Sequence, residues 1–384
     1  MRYDIYGDVM KIIMIPDSFK GSISSKDAAL TMKRAALDWN PFDEVLAIPI
    51  ADGGEGTVEC FLEITKGKKM EIDTFDLYMN PITVVVCEFD GTYVIEAASV
   101  VGLTLSKTKE PLKASTYGLG ILINKILAFK PKRIIIGLGG SGTNDGGIGM
   151  AIALGTKFYD ADGKIMVPSI NTLNDINRID NQEVYNKIKD IEIIGLCDVN
   201  NPFCGKTGAT YVYGPQKGIK ENELEEVDLK LYHLAKQIKN NLSIDILEKK
   251  GSGAAGGLGG AILAFLNGNL QSGIDLILDL VNFNELLKDT DYVITGEGKF
   301  DFQSLNGKVI QGIAKRCKLA NVGVIVLCGK YEPIDQPLTD YNIKDVICIN
   351  PPNIDYEMAI KHVRSYLLDA TNTAMNYIYS WKYK

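Results

Sequence analysis

Histidine is nearly absent from this sequence. In 384 residues there are two, His233 and His362, and both fall in helix-like segments. A Ser-His-Asp hydrolase or a histidine-rich zinc site would have to be built on one of them. The seven cysteines are scattered, odd in number and without a CxxC pair, which argues against a disulfide framework and for reduced thiols in a cytoplasmic protein. Basic runs are short and the net charge is −7, so nucleic acid is not an expected partner. The longest apolar stretch, near Ala261 to Leu266, is too short to span a bilayer, and no membrane partner is expected. The first ten residues, MRYDIYGDVM, carry acids and no apolar core, unlike a targeting peptide. Met10 followed by KIIMI reads as a second start. Nothing in the composition excludes a homo-oligomer.

Glycine is plentiful, at 38 residues, and it is concentrated in blocks rather than spaced at a period. The densest block lies in residues 133–149, RIIIGLGGSGTNDGGIG. Ile134 to Ile136 read as a buried strand and Ile148 to Leu154 as the start of a helix. The glycines between them bare the backbone, and a Gly-rich strand-to-helix turn is a natural anion cradle. Asp145 inside that turn would repel a phosphate unless a divalent cation lay between them. The stretch therefore points to phosphate together with Mg²⁺.

The length favours two domains. KIIMI (11–15) and VLAIPI (45–50) are strands separated by a helix of Ala28, Ala29, Met32, Ala35, Ala36 and Trp39, with Ser24 and Asp27 as its capping box. This βαβα opening predicts a parallel sheet covered by helices. The middle brings hairpins, with Asp90-Gly91 between TVVVCEF and TYVIEAA and a second turn at 161–163. From Asp291 the βα rhythm returns through DYVITGEG, GVIVLCG and DVICI to a final helix over 356–381. The fold class expected is α/β with two domains. One is a parallel-sheet domain from both chain ends, residues 11–70 and 285–384; the other is a mixed-sheet insertion, residues 71–284.

Polar Gly-rich loops follow the strands: PDSFKG (16–21), ADGGEGT (51–57), GLGGSGTNDGG (137–147), CDVNNPFCGKTGA (197–209) and TGEGKFDFQSLNGK (295–308). In open α/β sheets such loops gather beyond the carboxyl ends of the strands, where ligands bind. Lys20 and Lys308 can neutralise a phosphate or a carboxylate as compact charges. Asp52, Asp198 and Glu297 can hold Mg²⁺ with the help of waters, and one acid can take a proton from a substrate hydroxyl. Such parts suit phosphoryl transfer, which needs positioning and charge neutralisation. Some of these parts also have a plain reading: Asp17 and Asp52 as turn acids or helix caps, and the all-small 251–260 segment as a packing surface. A competing reading starts from Gly137, Gly139 and Gly142, which have the GxGxxG spacing of a nicotinamide-dependent oxidoreductase, with Asp160 where a ribose-binding acid would stand. Against it, Asn144-Asp145-Gly146-Gly147 runs on where the helix should begin. GKT at 205–207 resembles a P-loop tail, but position 200 is Asn where that motif needs Gly.

PDSFKGS (16–22), IADGGEGT (50–57), GLGGSGTNDGG (137–147), CDVNNP (197–202), GPQKG (214–218), GAAGGLG (253–259) and ITGEGKFDFQSLNGK (294–308) come in the order and spacing of the glycerate kinase type 1 family. The resemblance covers roughly residues 10–380. It implies ATP- and Mg²⁺-dependent phosphorylation of D-glycerate, the 2-phospho product being favoured over the 3-phospho product. It also implies a flavodoxin-like domain and a restriction-endonuclease-like domain with the site in the cleft between. On that resemblance Gly139, Gly140, Ser141, Thr143 and Lys308, with Gly256 and Gly257, are expected to hold the nucleotide. Asp198, Glu297 and Asp145 are the expected metal carboxylates. Ser18, Asn144, Gly53 and Gly54 would face the substrate. Asp52, Lys20 and Asp198 would be the catalytic groups, Asp52 as proton acceptor. Three positions depart from the family pattern: Gly142 where relatives often have Ala, Lys299 for a common Arg, and Val309 where Thr usually stands. A non-catalytic ligand-binding protein on the same fold is the remaining alternative.

Overall fold

The structure is a computed structural model that describes residues 9–382 apart from residues 20, 106 and 306–308. The chain divides into two compact units, residues 1–52 with 274–384, and residues 53–273.

In the first unit, β1 (Lys11–Met14) and β2 (Glu44–Ala47) flank helix Ser25–Trp39. Ser24 caps that helix by accepting the Asp27 N–H, and Ala28, Ala29, Met32, Ala35 and Ala36 form its buried stripe, as helical periodicity requires. In the second unit, β3 (Lys68–Phe75), β4 (Pro81–Phe89) and β5 (Thr92–Glu96) form an antiparallel meander. Next come β6 (Arg133–Gly137), the small sheet of β7 (Lys157–Tyr159), β8 (Ile165–Met166) and β9 (Arg178–Asp180), then β10 (Glu192–Leu196) and β11 (Asn269–Gln271). The chain returns to the first unit for β12 (Tyr292–Phe300), β13 (Gly323–Tyr331) and β14 (Ile343–Cys348).

The first sheet is ordered β14-β13-β12-β1-β2 and is parallel throughout. Counted along the unit's own strands this is 2-1-3-4-5, the flavodoxin-like order, whose switch point lies between β1 and β12. The second sheet is mixed, ordered β11-β10-β6-β5-β4-β3, with β5, β6, β10 and β11 parallel to one another. Continuous burial of Ile134, Ile135 and Ile136 fits a strand covered on both faces.

The boundaries fall after Asp52 and after Gly273, where the sequence pattern suggested 70 and 284. Helix Thr57–Thr65 goes with the second unit through local bonds: the Val58 N–H is taken by Glu96 at the end of β5, and Gly139 N donates to Gly53 O at 2.9 Å. Strand β3 carries no apolar run, because its residues alternate between exposed and buried at the sheet edge. The C-terminal helical segment is two helices, Tyr356–Lys361 and Val363–Lys382, broken at His362.

The two chain ends of the first unit are tied by a buried polar knot. Asp43 Oδ1 accepts from Met10 N (3.0 Å), Asn40 Nδ2 (2.9 Å) and Tyr379 Oη (2.7 Å). A buried carboxylate that loses a donor is left with its desolvation penalty. Tyr379→Phe is therefore expected to cost about 1–3 kcal/mol, read as a lower denaturant midpoint; an unchanged midpoint would show that the knot does not depend on this hydroxyl.

Candidate functional site

The carboxyl ends of β5, β6 and β10 are roofed by the loop that opens the second unit. A Cβ on Gly53 would stand 2.8 Å from Leu196 Cβ, one on Gly137 2.7 Å from Gly53 O, and one on Gly139 2.5 Å from Gly54 Cα. Only bare backbone packs this closely. The 53–56 loop, the start of the 138–147 loop and the end of β10 are thus in direct contact. Asp198 follows at the end of β10, and its Oδ1 accepts the Gly273 N–H at 3.2 Å.

Within the 138–147 loop, Asp145 is the most constrained residue. It is 2% exposed. Its Oδ2 accepts from Thr116 N (2.8 Å), Thr116 Oγ1 (2.9 Å) and Gly149 N (3.3 Å), and its Oδ1 from Gly147 N (3.0 Å). Burial pushes its carboxyl above the ordinary value, against the pull of those four bonds. Thr116 Oγ1 in turn accepts the Met150 N–H at 2.9 Å. The carboxylate so joins the start of helix Ile148–Leu154 to the start of helix Tyr117–Leu127.

Lys217, in the last turn of helix Ala209–Lys217, lies under the same loop. It is 3% exposed, and its Nζ donates to Thr143 O (2.6 Å) and Ser141 Oγ (3.1 Å). Burial drives its pKa down to about 7, with the Asp145 carboxylate acting the other way. Asn144 is fully buried and gives Nδ2 to Thr210 Oγ1 at 3.0 Å. Asn144 Oδ1 and Thr143 Oγ1 are buried without a hydrogen-bond partner among the described residues. Gly256 and Gly257 back the loop: Gly146 N donates to Gly256 O at 3.0 Å, and Cβ atoms there would meet Thr143 O at 2.0 Å and Gly146 Cα at 2.7 Å. Gly140, with φ +77°, is the exposed tip.

Much of the loop's donor capacity is already used. The N–H groups of Gly139, Gly142, Gly146 and Gly147 bond to Gly53 O, Val101 O, Gly256 O and Asp145. The GxGxxG spacing at 137–142 is not followed by a dinucleotide-type turn, because the helix starts only at Ile148 and Gly53 and Gly54 cover the glycines.

In the first unit, the loop after β1 meets β12: Asp17 N donates to Gly296 O at 2.8 Å, and Thr295 Oγ1 to Ile15 O at 2.8 Å. Ser18, whose N–H bonds Asp17 Oδ1, therefore lies beside the strand that carries the buried Glu297. Ser25 bridges this loop to the next one, donating to Pro16 O (2.7 Å) and accepting from Ile50 N (2.7 Å). Half-buried Asp52 ends that second loop. Lys20 and Lys308 lie outside the described residues.

Two groups escaped the sequence reading. Lys217 sits in GPQKG but reads as an ordinary helix-end lysine. Glu96 ends β5 in TYVIEAA; burial raises its pKa to about 7 while the Val58 N–H favours its charged form. No cluster of three or more His, Cys, Asp or Glu residues poised for a metal occurs among the described residues. Mg²⁺ commonly takes only one or two carboxylates plus waters, and Asp198 and Glu297 offer such hard oxygen donors.

The sequence profile of the glycerate kinase family matches residues 12–379. The chain is 37% identical to a glycerate kinase of Bacillus subtilis (strain 168) over 366 residues, covering 93% of this chain and 95% of that protein. It is 39% identical to a glycerate 2-kinase of Escherichia coli (strain K12) over 328 residues, 83% of this chain and 85% of that protein. A crystal structure assigned to a glycerate kinase 2 from Salmonella typhimurium LT2 superposes with a TM-score of 0.84 at 33% identity, covering 98% of this chain and all of that one.

The two buried ionisable groups predict opposite pH slopes. Lys217 has a depressed pKa, so the unfolded chain binds more protons between about pH 7 and the ordinary lysine value, and stability rises with pH there. Lys217→Met should remove a slope of about 1.4 kcal/mol per pH unit in denaturant titrations over that window. Glu96 has a raised pKa, so its contribution is complete below the ordinary glutamate value and is lost as pH climbs to about 7. Glu96→Gln should remove that loss. Slopes identical to those of the parent protein would contradict both assignments.

Proposed function

The chain belongs to the glycerate kinase family, and on that premise we propose that it transfers the γ-phosphoryl group of ATP to D-glycerate with Mg²⁺, giving 2-phosphoglycerate. The observation that carries this reading is the placement of the motif loops. In each unit they stand at the carboxyl ends of parallel strands, with Ser18 beside the Glu297 strand in one and Gly53, Gly139 and Asp198 adjoining in the other. The name of the Escherichia coli relative, a glycerate 2-kinase, supports the 2-phospho product.

Asp52 is our candidate proton acceptor, and Ser18 a donor to substrate oxygens. The substrate O–H gives its proton to the carboxylate as its oxygen bonds the γ-phosphorus. The bond to the bridging oxygen breaks, and ADP leaves with the electron pair. The exposed Gly140, with half-buried Gly139 beside it, is the rim we assign to phosphate oxygens, the buried Ser141 supporting it through Lys217, and Lys20 and Lys308 supply compact positive charge. Asp198 and Glu297 are the carboxylates we assign to Mg²⁺, which when bound neutralises phosphate charge. Asp145 and Asn144 are assigned differently from the sequence expectation. With four bonds accepted inside the protein, Asp145 holds the loop rather than a metal, and the buried Asn144 braces the loop through Thr210. Gly256 and Gly257 support the loop from behind.

ADP release coupled to D-glycerate is the direct assay. Phosphorus NMR of the product should show a doublet, since the C2 oxygen sits on a carbon with one hydrogen; a triplet would move the phosphate to C3. Absence of D-glycerate-dependent ADP release would remove the activity altogether. Asp52→Asn should lower kcat roughly 10²–10⁴-fold, and near-parental kcat would take Asp52 out of the mechanism.

A further inference from the structure

The first unit contains an open cleft of about 680 Å³ to which none of the catalytic or metal assignments gives a role. It lies at the carboxyl ends of β12, β13 and β14, bordered by Phe19 and Ser22 of the loop after β1 and by Gly298 and Lys299 of β12. That border is the sheet's switch point, where open α/β sheets bind ligands. The volume suits a small molecule of nucleotide size. D-Glycerate is small and polar, and a cleft floored by Phe19, Ile349, Ile360 and Val363 offers it little.

Two side chains give the cleft its chemistry. Asn350 donates Nδ2 to Gly329 O at 2.8 Å. Only the amide NH₂ can face a carbonyl, so this bond fixes the side chain's orientation. Its Oδ1 is then left buried and without a hydrogen-bond partner among the described residues, an acceptor with no donor. Tyr356, 73% exposed, stands at the rim, its hydroxyl 3.4 Å from where a Cβ on Gly21 would lie. The floor between them is backbone: a Cβ on Gly329 would meet Gly298 O at 2.6 Å. Lys299 and Lys330 line the mouth, tied to Glu332 at 2.8 and 3.0 Å. Exposed pairs of that kind exchange partners at little cost.

We propose that this cleft binds the base of a nucleotide, a planar heterocycle bearing an exocyclic amino group. The ring lies on the apolar floor against Tyr356, its amino group donates to Asn350 Oδ1, and the phosphates leave past the lysines. The assignment rests on the phosphoryl-transfer reading for its choice of ATP, and its test separates the two.

The experiment uses the full-length protein. Binding of a fluorescent methylanthraniloyl ADP and its displacement by ADP are followed together with KM for ATP and for D-glycerate. Tyr356→Ala, an exposed site at which folding is preserved, should weaken ADP and raise KM for ATP by about tenfold, with KM for D-glycerate within about twofold. Inosine triphosphate carries a carbonyl in place of the amino group. The parental enzyme should prefer ATP to it by at least about tenfold in kcat/KM, and Asn350→Ala should narrow that preference. Unchanged ADP affinity in Tyr356→Ala, with D-glycerate-dependent ADP release intact, overturns the cleft assignment and leaves the kinase reading standing. A change in KM for D-glycerate alone also overturns it. Tyr356-dependent ADP binding without any transfer to D-glycerate supports the cleft and removes the kinase reading.

Discussion

One buried carboxylate sets the shape of the second unit's working edge. Taking an ionised group out of water costs several kcal/mol unless hydrogen bonds replace the lost hydration. Asp145 obtains four, and they come from two places in the chain: the residue before helix Tyr117–Leu127 and the first turn of helix Ile148–Leu154. Any movement of the loop would strip donors from the carboxylate. The loop's other bonds tighten the same fit. Lys217 holds its underside, and Gly256 and Gly257 meet it backbone to backbone. A catalyst that works by positioning needs such a surface before substrate arrives.

Parallel pairing accounts for how widely the motifs are spread. Strands that run the same way must be joined by crossovers, so successive strand ends are far apart in sequence yet share one edge. In the first unit, the loop after β1 and the residues of β12 meet at the switch point although almost 280 residues separate them, as in the 280-residue gap of the Thr295 to Ile15 bond. In the second unit, the ends of β5, β6 and β10 meet the 53–56 loop. The acids and glycines belong to these edges because loops there need positive φ or close backbone contact, as at Gly53 and Gly147.

The loops were legible in sequence because glycine beside an acid after a β-branched run is a local signal. Helix Ser25–Trp39 was legible for the same reason, since its stripe and cap lie within one segment. What stayed hidden was long-range. Asp145 reads locally as a metal or phosphate neighbour; its partner Thr116 lies 29 residues upstream. Lys217 reads as a cation suited to a helix end, and only its burial shows that it serves the loop. Strand β3 was passed over because an edge strand with alternating exposure lacks an apolar run. The break at His362 escaped because helical spacing continues on both sides of it.

The three positions that the resemblance marks as departures, Gly142, Lys299 and Val309, fall unevenly on this scheme. Val309 opens a helix next to residues outside the described set. Lys299 stands at the mouth of the first unit's cleft, held by Asp301 and Glu332 at 2.9 and 2.8 Å; an arginine there would fix both carboxylates with a planar fork, whereas lysine leaves them exchangeable. Gly142 bears on the clamp more directly. Its N–H bonds Val101 O at 2.7 Å while Leu103 N bonds Gly140 O at 2.9 Å, so two backbones run side by side at the loop's entrance. A Cβ at this position would lie 3.1 Å from Leu103 Cα and 3.0 Å from Leu77 Cδ1. An alanine would have to push the 101–103 segment away by a few tenths of an ångström or turn Leu77 aside. Glycine lets this chain close the pair of bonds at short range. The Asp145 bonds fix one end of the loop and this bridge, to which Gly140 gives its carbonyl, fixes the other, so that even the exposed tip is held by its backbone.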